Sequence, residues 1–422
     1  MTAADSPLAG VRTVLGVGGG IAAYKAAHVV RGLVASGAEV RVIPTPASLA
    51  FVGAATWEAL SHHEVLTSVF EHVDEVAHVR VGQDAELVVI APATADLLAR
   101  LRLGRADDML TATALMARCP VVVVPAMHTE MWQHPATVEN VAVLRSRGVT
   151  VLEPDSGRLT GPDSGPGRLP EPDAILGAAL AAVTAPRTPA GAPVRDLEGV
   201  RVLVTAGGTH EQIDPVRFIA NHSSGRQGLA LAQAALVRGA DVTLVAANVD
   251  LPSPPGARRL DVGSAAELAE AVAAERTRAD VLVMAAAVAD FAPASRAAAK
   301  IKKTGEDDVP VLELVRTEDI LRTSVGARRD DPATAPGVIV GFAAETGDEA
   351  TAPIEHARAK ARAKGADLLV FNDVSAGVFG AAANDVTVLD ASGEVVRSAA
   401  GDKSVVSHAV LDEVVRRRGH VR

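Results

Sequence analysis

Cysteine is almost absent from this chain, which has one, Cys119, among 422 residues. A lone cysteine cannot form a disulfide within one chain or build a cysteine zinc site, so we expect a reducing compartment, the cytoplasm. Aromatic residues make up only 2% of the chain, which argues against a nucleic-acid surface that stacks bases on aromatic rings. The formal net charge is −10 and no basic block stands out, so nucleic acid is not an expected partner.

Long hydrophobic runs are missing as well. The N-terminus has neither a basic nor an apolar signal-peptide region, and apolar runs such as residues 121 to 124 have the length of a strand. We therefore predict no signal peptide and no membrane span. Hydrophobic residues make up 48% and charged residues 22% of the chain, as in ordinary globular proteins. At 422 residues the chain exceeds what one core usually supports, which predicts two domains, or three.

Short β-branched segments alternate with helical segments in the first half of the chain. The predicted strands are residues 11–17, 39–43, 87–90 and 121–124, and the predicted helices are residues 21–36 and 94–101. This alternation indicates right-handed βαβ units around a parallel sheet. A Gly/Pro-rich stretch, residues 154–172, has too few apolar residues to pack, which is typical of a linker or an active-site flap.

A Pro/Ala segment, residues 185–193, separates the two halves, because it has no periodicity and precedes a new strand. We place domains at 1–184 and 197–422, with a linker at 185–196. The second half repeats the alternation, with a helix at 229–238, strands at 200–205, 242–245, 281–285, 338–342 and 368–371, and a hairpin over 386–396. Both halves are therefore predicted to be α/β and doubly wound, with ligands at the carboxyl ends of the strands.

The first predicted strand ends in a glycine-rich turn, Gly18-Gly19-Gly20, directly before a helix. Such small residues let the backbone approach a phosphate at a helix N-terminus, although they also permit a simple tight turn. A nicotinamide site would need an acidic residue after the second strand to bind the ribose. That strand instead ends in hydroxyl residues, Thr45 and Ser48, which favours FMN over NAD.

Two later segments make the pattern more specific. Ala91-Pro92-Ala93-Thr94-Ala95 follows the third strand, and a Pro-x-Met-x-x-x-Met-Trp block, residues 125–132, follows the fourth. With the Gly-Gly-Ile-Ala-Ala-Tyr-Lys segment at 19–25, the first half resembles the flavin-containing cysteine decarboxylases. This resemblance implies a flavodoxin-like sheet and a homo-oligomer, a dodecamer, with FMN between subunits. The FMN-contacting positions that it implies are Gly19, Gly20, Ile21, Ala22, Thr45, Ala91, Pro92, Ala93, Thr94 and Met127.

Two histidines are candidate catalytic residues of this half. His78 matches the active-site histidine of the decarboxylases, although its position alone is equally typical of a surface histidine. A metal cluster of His72, His78 and nearby carboxylates has no supporting spacing motif. His128 stands where the family usually has Asn, and the flap, residues 157–168, lacks the usual cysteine. We therefore expect His128 to supply the final proton, and Cys119 to be a buried structural residue.

The second half contains a Ser-Ser-Gly-Arg segment, residues 223–226, before a predicted helix, where amides, hydroxyls and a guanidinium can converge on phosphate. A simple helix cap is the alternative, and no Walker motif is present. The longer block around this segment resembles the phosphopantothenate-cysteine ligases. Further matching segments are residues 285–291, 300–303, 341–346 and 372–375. The chain as a whole thus resembles the bifunctional phosphopantothenoylcysteine decarboxylase and phosphopantothenate-cysteine ligase family of coenzyme A biosynthesis.

The resemblance implies that CTP activates 4'-phosphopantothenate as an acyl-cytidylate, which the amine of cysteine attacks. The product is then decarboxylated to 4'-phosphopantetheine. Asn221 would stabilise and process the cytidylate, Lys300 would bind phosphate during activation, and Arg217 would assist at the acyl phosphate. The CTP-contacting positions would be Met284, Ala285, Ala286, Asp290, Lys300, Glu318, Asp319, Ile320, Leu321, Phe342, Lys360 and Lys364. We also expect Mg²⁺, because the charge of a triphosphate in transfer must be bridged, but its ligands are not predicted.

Two rival functions stay open from the sequence. A dinucleotide-dependent reductase would explain the two glycine-rich turns, but it fits poorly with the missing acidic residue and with the three lysines at 300, 302 and 303. A non-enzymatic regulatory flavoprotein is the second rival. The presence of both Asn221 and Lys300 argues against it.

Overall fold

The computed structural model describes residues 6–70, 76–159, 163–188, 193–302, 311–345, 352–373 and 383–421. The chain forms two compact units, Met1–Arg195 with Pro254–Gly256, and Asp196–Ser253 with Ala257–Arg422. Arg187 and Pro193 pair in an isolated β-bridge inside the segment predicted as a linker. The domain boundaries 1–184 and 197–422 remain our proposal.

The first unit is an α/β layer structure. Its strands are β1 Arg12–Val17, β2 Glu39–Pro44, β3 Leu87–Ala93, β4 Val121–Pro125, β5 Thr150–Val151, β6 Asp155–Arg158 and β7 Ser164–Arg168. Its helices are α1 Ala23–Ala35, α2 Ala54–Ser61, α3 Ala77–Asp84, α4 Ala95–Leu103, α5 Met109–Met116, α6 Thr129–Trp132, α7 Pro135–Ser146 and α8 Pro172–Thr184. The strands β2-β1-β3-β4-β5 form one parallel sheet in that order, which is the flavodoxin order.

Burial on both faces explains why the strands of this sheet are so uniformly apolar. Leu87 and Val89 of β3 pack in the core formed with α1 and α8, whereas Val88 and Ile90 pack in the core formed with α4 and α5. A parallel sheet covered by helices on both faces requires apolar residues at successive positions. All the loops that follow the carboxyl ends of these strands therefore lie at one edge of the sheet.

The second unit has the same layered construction. Its strands are β8 Arg201–Gly207, β9 His210–Gln212, β10 Phe218–Ala220, β11 Asp241–Ala247, β12 Arg258–Val262, β13 Val281–Met284, β14 Phe291–Pro293, β15 Leu314–Arg316, β16 Val338–Glu345, β17 Leu368–Asp373, β18 Ala383–Asp390 and β19 Val395–Asp402. Its helices are α9 Arg226–Val237, α10 Ala265–Glu275, α11 Ile320–Asp330, α12 Pro353–Lys364 and α13 Lys403–Val421. The main sheet has the order β12-β11-β8-β13-β16-β17-β18-β19.

The pairing is parallel from β12 to β17, and β18 and β19 then add an antiparallel hairpin. The parallel part has the strand order of a Rossmann fold. Helices α9 and α13 cover one face of the sheet, and α10 and α11 cover the other. The prediction of an α/β protein with a flavodoxin-like first half and a Rossmann-like second half is confirmed.

The Gly/Pro-rich stretch, residues 154–172, was predicted to be either a linker or an active-site flap, and the linker alternative is wrong. The Gly/Pro-rich stretch is not a linker, because β6 and β7 pair as an antiparallel hairpin within the first unit. The hairpin has few apolar side chains, and backbone hydrogen bonds between β6 and β7 stabilise it without an alternating apolar pattern. The flap alternative is the one compatible with this hairpin.

None of the helices in the part of the chain that the structure describes combines the length and the apolar character needed to cross a bilayer.

Candidate functional site

The loops after β1, β2 and β3 are joined by backbone hydrogen bonds at the carboxyl edge of the first sheet. The amide of Gly18 donates to the carbonyl of Pro92 at 2.9 Å, and the amide of Thr45 donates to the carbonyl of Val17 at 2.9 Å. Gly18 cannot be replaced without a clash, because a Cβ there would stand 2.4 Å from the Pro92 oxygen. The predicted FMN positions on these three loops are thus brought together.

The turn before α1 has the features of a phosphate cradle. The amides of residues 19 to 22 donate to no acceptor among the described residues, and the helix N-cap, Ala22, provides no capping side chain. A methyl group on Gly20 would meet no described atom within 4 Å, so the backbone here borders open space. Uncapped amides at a helix N-terminus attract anions. The buried hydroxyl of Thr45 accepts a bond from the Ser48 amide at 3.3 Å and can still donate its own hydrogen.

His78 lies on α3 and is partly buried. Its Nδ1 atom is buried and has no hydrogen-bond partner among the described residues. Buried polar atoms in proteins nearly always have a partner, so an orphaned imidazole nitrogen indicates a place for a ligand group. His72, which the alternative of a metal cluster needs, lies outside the described residues.

His128 is exposed at the N-cap of α6 and makes no capping hydrogen bond. The hairpin of β6 and β7 contacts the residues on either side of it. The Met127 amide donates to the carbonyl of Gly167 at 3.0 Å, and a Cβ on Gly165 would stand 2.5 Å from the Thr129 hydroxyl. The hairpin therefore lies against the segment that carries His128, as a flap would. Residues 160 and 161, where a flap cysteine would be expected, lie outside the described residues.

Cys119 precedes β4, at the amino end of that strand, whereas the loops of the site follow the carboxyl ends. A strand of five residues spans about 16 Å, which separates the thiol from the site. Burial raises the pKa of the Cys119 thiol to about 11. The side chain packs against the core that includes α4 and α5. It is therefore a poor nucleophile or proton donor at neutral pH.

The second unit contains a cavity of about 280 Å³ at the carboxyl ends of β13 and β16. Predicted residues that line it are Asn221, Met284, Ala286, Asp290, Glu318, Asp319, Ile320, Leu321, Phe342, Lys360 and Lys364. Further lining residues that were not predicted as CTP-contacting positions are Ala287, Val288, Ala343 and Ala344, which lie in the matching segments 285–291 and 341–346, and Thr317 and Leu369, which lie in none of the matching segments. Two predicted CTP positions do not line it: Ala285, which packs against the core, and Lys300.

Each cationic side chain of the cavity is paired with a carboxylate. The Lys360 ammonium lies 2.9 Å from Glu345, and Lys364 pairs with Asp319. Asp319 also accepts a hydrogen bond from the Arg322 amide at 3.1 Å and so caps α11. The two lysines are four residues apart on α12, so they face the cavity from the same side of the helix.

Asn221 follows β10 and is fixed by one hydrogen bond, from its Nδ2 to the carbonyl of Val288 at 3.0 Å. Lys300 is exposed, and it has no ion-pair partner among the described residues. Arg217 lies close to it in structure, since its Nη2 donates to the carbonyl of Ile301 at 3.1 Å. The residues of these motifs outside the described parts of the chain are Lys303, Thr346, Val374 and Ser375.

Ser223 and Gly225 form the turn that leads into α9. The amide of Gly225 donates to the Ser223 hydroxyl at 3.4 Å. Gly225 has a φ of +73°, and a Cβ on it would stand 2.8 Å from Val249, so this turn requires glycine.

Within the described ranges, no group of three or more His, Cys, Asp or Glu residues could hold a metal ion. The predicted Mg²⁺ therefore has no preformed carboxylate cage in the described part of the protein.

Comparison with known proteins identifies both halves. Residues 197–417 match the family model of the DNA/pantothenate metabolism flavoprotein C-terminal domain, and residues 1–184 match the Flavoprotein family. The coenzyme A biosynthesis bifunctional protein CoaBC of Mycolicibacterium smegmatis is 56% identical over 405 residues, which cover 96% of this chain and 97% of that protein.

More distant relatives are of the same kind. The CoaBC protein of Escherichia coli strain K12 is 43% identical over 371 residues, or 87% of each chain. The crystal structure of the C-terminal domain of a CoaBC protein is 34% identical, covers 54% of this chain and 99% of that one, and gives a TM-score of 0.42. The resemblance predicted from the motifs is confirmed: the chain belongs to the family of coenzyme A biosynthesis bifunctional proteins CoaBC.

Proposed function

We propose that this chain is a bifunctional enzyme that converts 4'-phosphopantothenate into 4'-phosphopantetheine. The second unit would ligate cysteine with CTP, and the first unit would decarboxylate the product with FMN. The observation that supports this most directly is that one chain has two separate sites. A cavity in the second unit is lined by Asn221 and by most of the nucleotide positions, and a phosphate cradle in the first unit lies on the FMN positions.

The ligase reaction needs an activated carboxylate. A carboxylate oxygen of 4'-phosphopantothenate attacks the α-phosphorus of CTP, and pyrophosphate leaves. The amine nitrogen of cysteine then attacks the acyl carbon, and CMP leaves as the amide forms. Asn221 borders the cavity, and its amide is neutral and held by Val288, so it can donate to the acyl phosphate without adding charge.

Lysine side chains would neutralise the negative charge of the triphosphate, and these lysines are of two kinds, those paired with a carboxylate and one that is exposed. Lys360 and Lys364 are paired with carboxylates, so in this state their charge is already partly compensated. Lys300 is exposed and has no such partner within the described residues, so its full charge is available to the departing pyrophosphate. We expect Mg²⁺ to enter with the triphosphate, because Mg²⁺ commonly binds through phosphates and few protein carboxylates.

In the first unit, the amides of residues 19 to 22 and the Thr45 hydroxyl would hold the phosphate of FMN. Bound FMN would supply the two-electron oxidation of the substrate thiol that makes loss of carbon dioxide possible. His78 has a buried nitrogen free to bind the substrate carboxylate or to take the thiol proton. His128, which is exposed between two residues that contact the hairpin of β6 and β7, would deliver the final proton at carbon.

We further propose that the first unit assembles with copies of itself, as in the predicted dodecamer, and that the protein is cytoplasmic. Ile21 and Tyr24, beside the phosphate cradle, are 62% and 57% exposed. Large apolar side chains next to a ligand site would be covered if a second copy closed the site.

Two measurements test the proposal against its rivals. Purified protein should absorb in the visible blue region with one FMN per chain, and a bound nicotinamide dinucleotide instead would favour the reductase. Pyrophosphate should be released with 4'-phosphopantothenate, cysteine and CTP, and at a much lower rate with ATP, GTP or UTP. Equal rates with ATP would refute the assignment of CTP, and no release with any nucleotide would refute the ligase.

A further inference from the structure

Asp214 is a fully buried carboxylate in the turn between β9 and β10. Its Oδ1 accepts the backbone amides of Val216 at 2.8 Å and Arg217 at 2.9 Å. Its Oδ2 accepts Nε of Arg217 at 3.0 Å, Nη2 of Arg217 at 2.5 Å and the backbone amide of Ile301 at 3.2 Å. One side chain thus connects two segments that are far apart in sequence.

Two further hydrogen bonds join the same segments. The Nη2 of Arg217 donates to the carbonyl of Ile301 at 3.1 Å, and the amide of Ala297 donates to the carbonyl of Ile213 at 3.0 Å. Ile301 directly follows Lys300. The backbone position of Lys300 is therefore fixed on one side by the Asp214 carboxylate and the Arg217 guanidinium.

The Asp214 carboxylate is charged under all ordinary conditions. Its hydrogen bonds with Arg217, and then those with the backbone amides, hold the pKa of Asp214 far below its usual range, although burial opposes this. Buried ion pairs add little net stability compared with apolar packing, and this one connects the turn after β9 to Ile301. The Arg217 side chain is still 45% exposed, and its Nη1 has no hydrogen-bond partner among the described residues.

We propose that Asp214 is a positioning residue of the ligase, which acts through the two cationic side chains of the activation step. It holds Arg217 by Nε and Nη2, so that Nη1 is left for the acyl phosphate. It also holds the Ile301 amide, which sets where Lys300 enters the site. This inference rests on the proposed ligase function and goes beyond it, because it assigns a role to a residue that cannot touch the substrate.

The test uses the full chain with Asp214→Asn, which keeps the shape and removes the charge. The amide nitrogen of Asn would face the donors of Arg217 and Ile301, so both segments should shift. A misplacement of about 1 Å can lower a rate about 100-fold. We therefore expect kcat for pyrophosphate release to fall by about that factor, while KM for CTP changes less than about threefold, because the cavity residues are untouched.

The matched control is Asp280→Asn. Asp280 makes a comparable pair with Arg201, at 2.8 Å and 3.1 Å, and also accepts the Arg201 amide at 2.8 Å. It precedes β13, at the opposite end of the strands from the cavity. This variant should keep wild-type kcat and lose less thermal stability than Asp214→Asn, because the Asp280 side chain is 31% exposed whereas that of Asp214 is fully buried. Decarboxylation of supplied phosphopantothenoylcysteine by the first unit is the internal control in both variants.

Rates are expressed per CTP-binding site, counted by calorimetry, so that unfolded protein does not contribute. A wild-type kcat per site in Asp214→Asn would overturn the proposal and leave Asp214 a structural residue. A double variant with Arg217→Gln should lose less than the product of the two single losses, because Asp214 acts partly through Arg217 and partly through the Ile301 amide next to Lys300. Losses that multiply fully in the double variant would count against the proposal.

If Asp214→Asn does not fold, Arg217→Lys tests the same connection from the exposed partner. It keeps the buried carboxylate and its charge but loses the fork that reaches Ile301. Asp214 still accepts the Ile301 amide in this variant, so hydrogen exchange at that amide should speed up, by about tenfold, only if the Arg217 bond to the Ile301 carbonyl helps to hold the segment. Unchanged exchange together with a wild-type kcat would overturn the connection. Failure of the proposed function itself is recognised separately, because the wild-type chain would then release no pyrophosphate with CTP.

Discussion

Replacing Gly20 by alanine tests the phosphate cradle of the first unit with a single methyl group. A Cβ on Gly20 would meet no described atom within 4 Å, whereas a Cβ on its neighbour Gly19 would stand 2.5 Å from the side chain of Ala47. Gly20→Ala should therefore leave the protein without FMN as stable as the wild type. The methyl group would instead intrude on the open space in which we place the FMN phosphate.

The expected size of the effect follows from the hydrogen bonds that the phosphate would lose. The amides of residues 19 to 22 have no other acceptor in the described structure, so each can bind a phosphate oxygen. A hydrogen bond to a charged group contributes about 1.5 to 3 kcal/mol. If the methyl group displaces the phosphate from one amide, Kd for FMN should rise roughly 10- to 150-fold.

The assay is a titration of FMN-free protein, followed by quenching of flavin fluorescence, with thermal unfolding measured in parallel. The matched control is Gly177→Ala in α8, where an added Cβ also meets no described atom within 4 Å. This control should bind FMN with wild-type affinity and gain about 0.5 to 1 kcal/mol of stability from its helical position. Wild-type FMN affinity in a stably folded Gly20→Ala protein would show that the phosphate does not lie in this turn.

Four other substitutions test whether the ligase and decarboxylase activities are separate and which residues act in each. Lys300→Ala should abolish pyrophosphate release yet leave decarboxylation of supplied phosphopantothenoylcysteine intact, and loss of both activities would contradict the assignment of two sites. Asn221→Asp places negative charge beside the acyl phosphate, so phosphorus NMR should detect accumulated cytidylate without amide, whereas normal turnover would make Asn221 a mere loop residue. His128→Asn should release carbon dioxide but accumulate oxidised product on chromatography, and a wild-type rate of 4'-phosphopantetheine formation would mean that another group donates the proton. Burial raises the pKa of the Cys119 thiol from 9.0 to about 11, so the folded state favours the neutral thiol. The contribution of this thiol to the free energy of unfolding should be complete below pH 9 and should be lost as the pH rises through 11. The structure places Cys119 as partly buried rather than fully buried as expected, so iodoacetamide at pH 8 should modify it more slowly in the native protein than after unfolding. Cys119→Ser should keep both activities, and equal labelling rates in the native and unfolded protein would contradict its partial burial.

The parallel sheets were predictable because burial on both faces requires continuous apolar runs, which here are rich in β-branched residues. Residues 87–90 and 121–124 are of this kind, and they form the central strands β3 and β4. The hairpin of β6 and β7 was not predictable in the same way. Its sequence, rich in glycine and proline, has no alternating apolar pattern, and its stability comes from backbone pairing and from contact with the segment around Met127.

Sequence motifs predicted most of the residues that line the candidate cavity. Which side chains of a motif face the cavity depends on the folded geometry. Met284, Ala285 and Ala286 are consecutive, and successive side chains at the end of a strand point to opposite sides, so Ala285 packs into the core while its neighbours line the cavity. Asp214 gave no signal, because a single acidic residue in a loop usually faces solvent. Its burial depends on Arg217 and Ile301, which meet it only in the folded chain.

The central claim is that one chain performs both reactions in sequence. The most direct measurement supplies purified protein containing FMN with 4'-phosphopantothenate, cysteine and CTP, and quantifies pyrophosphate, carbon dioxide and 4'-phosphopantetheine together. We expect one pyrophosphate and one carbon dioxide for each 4'-phosphopantetheine formed, with no added enzyme. Pyrophosphate release without carbon dioxide, or no release of pyrophosphate at all, would contradict it.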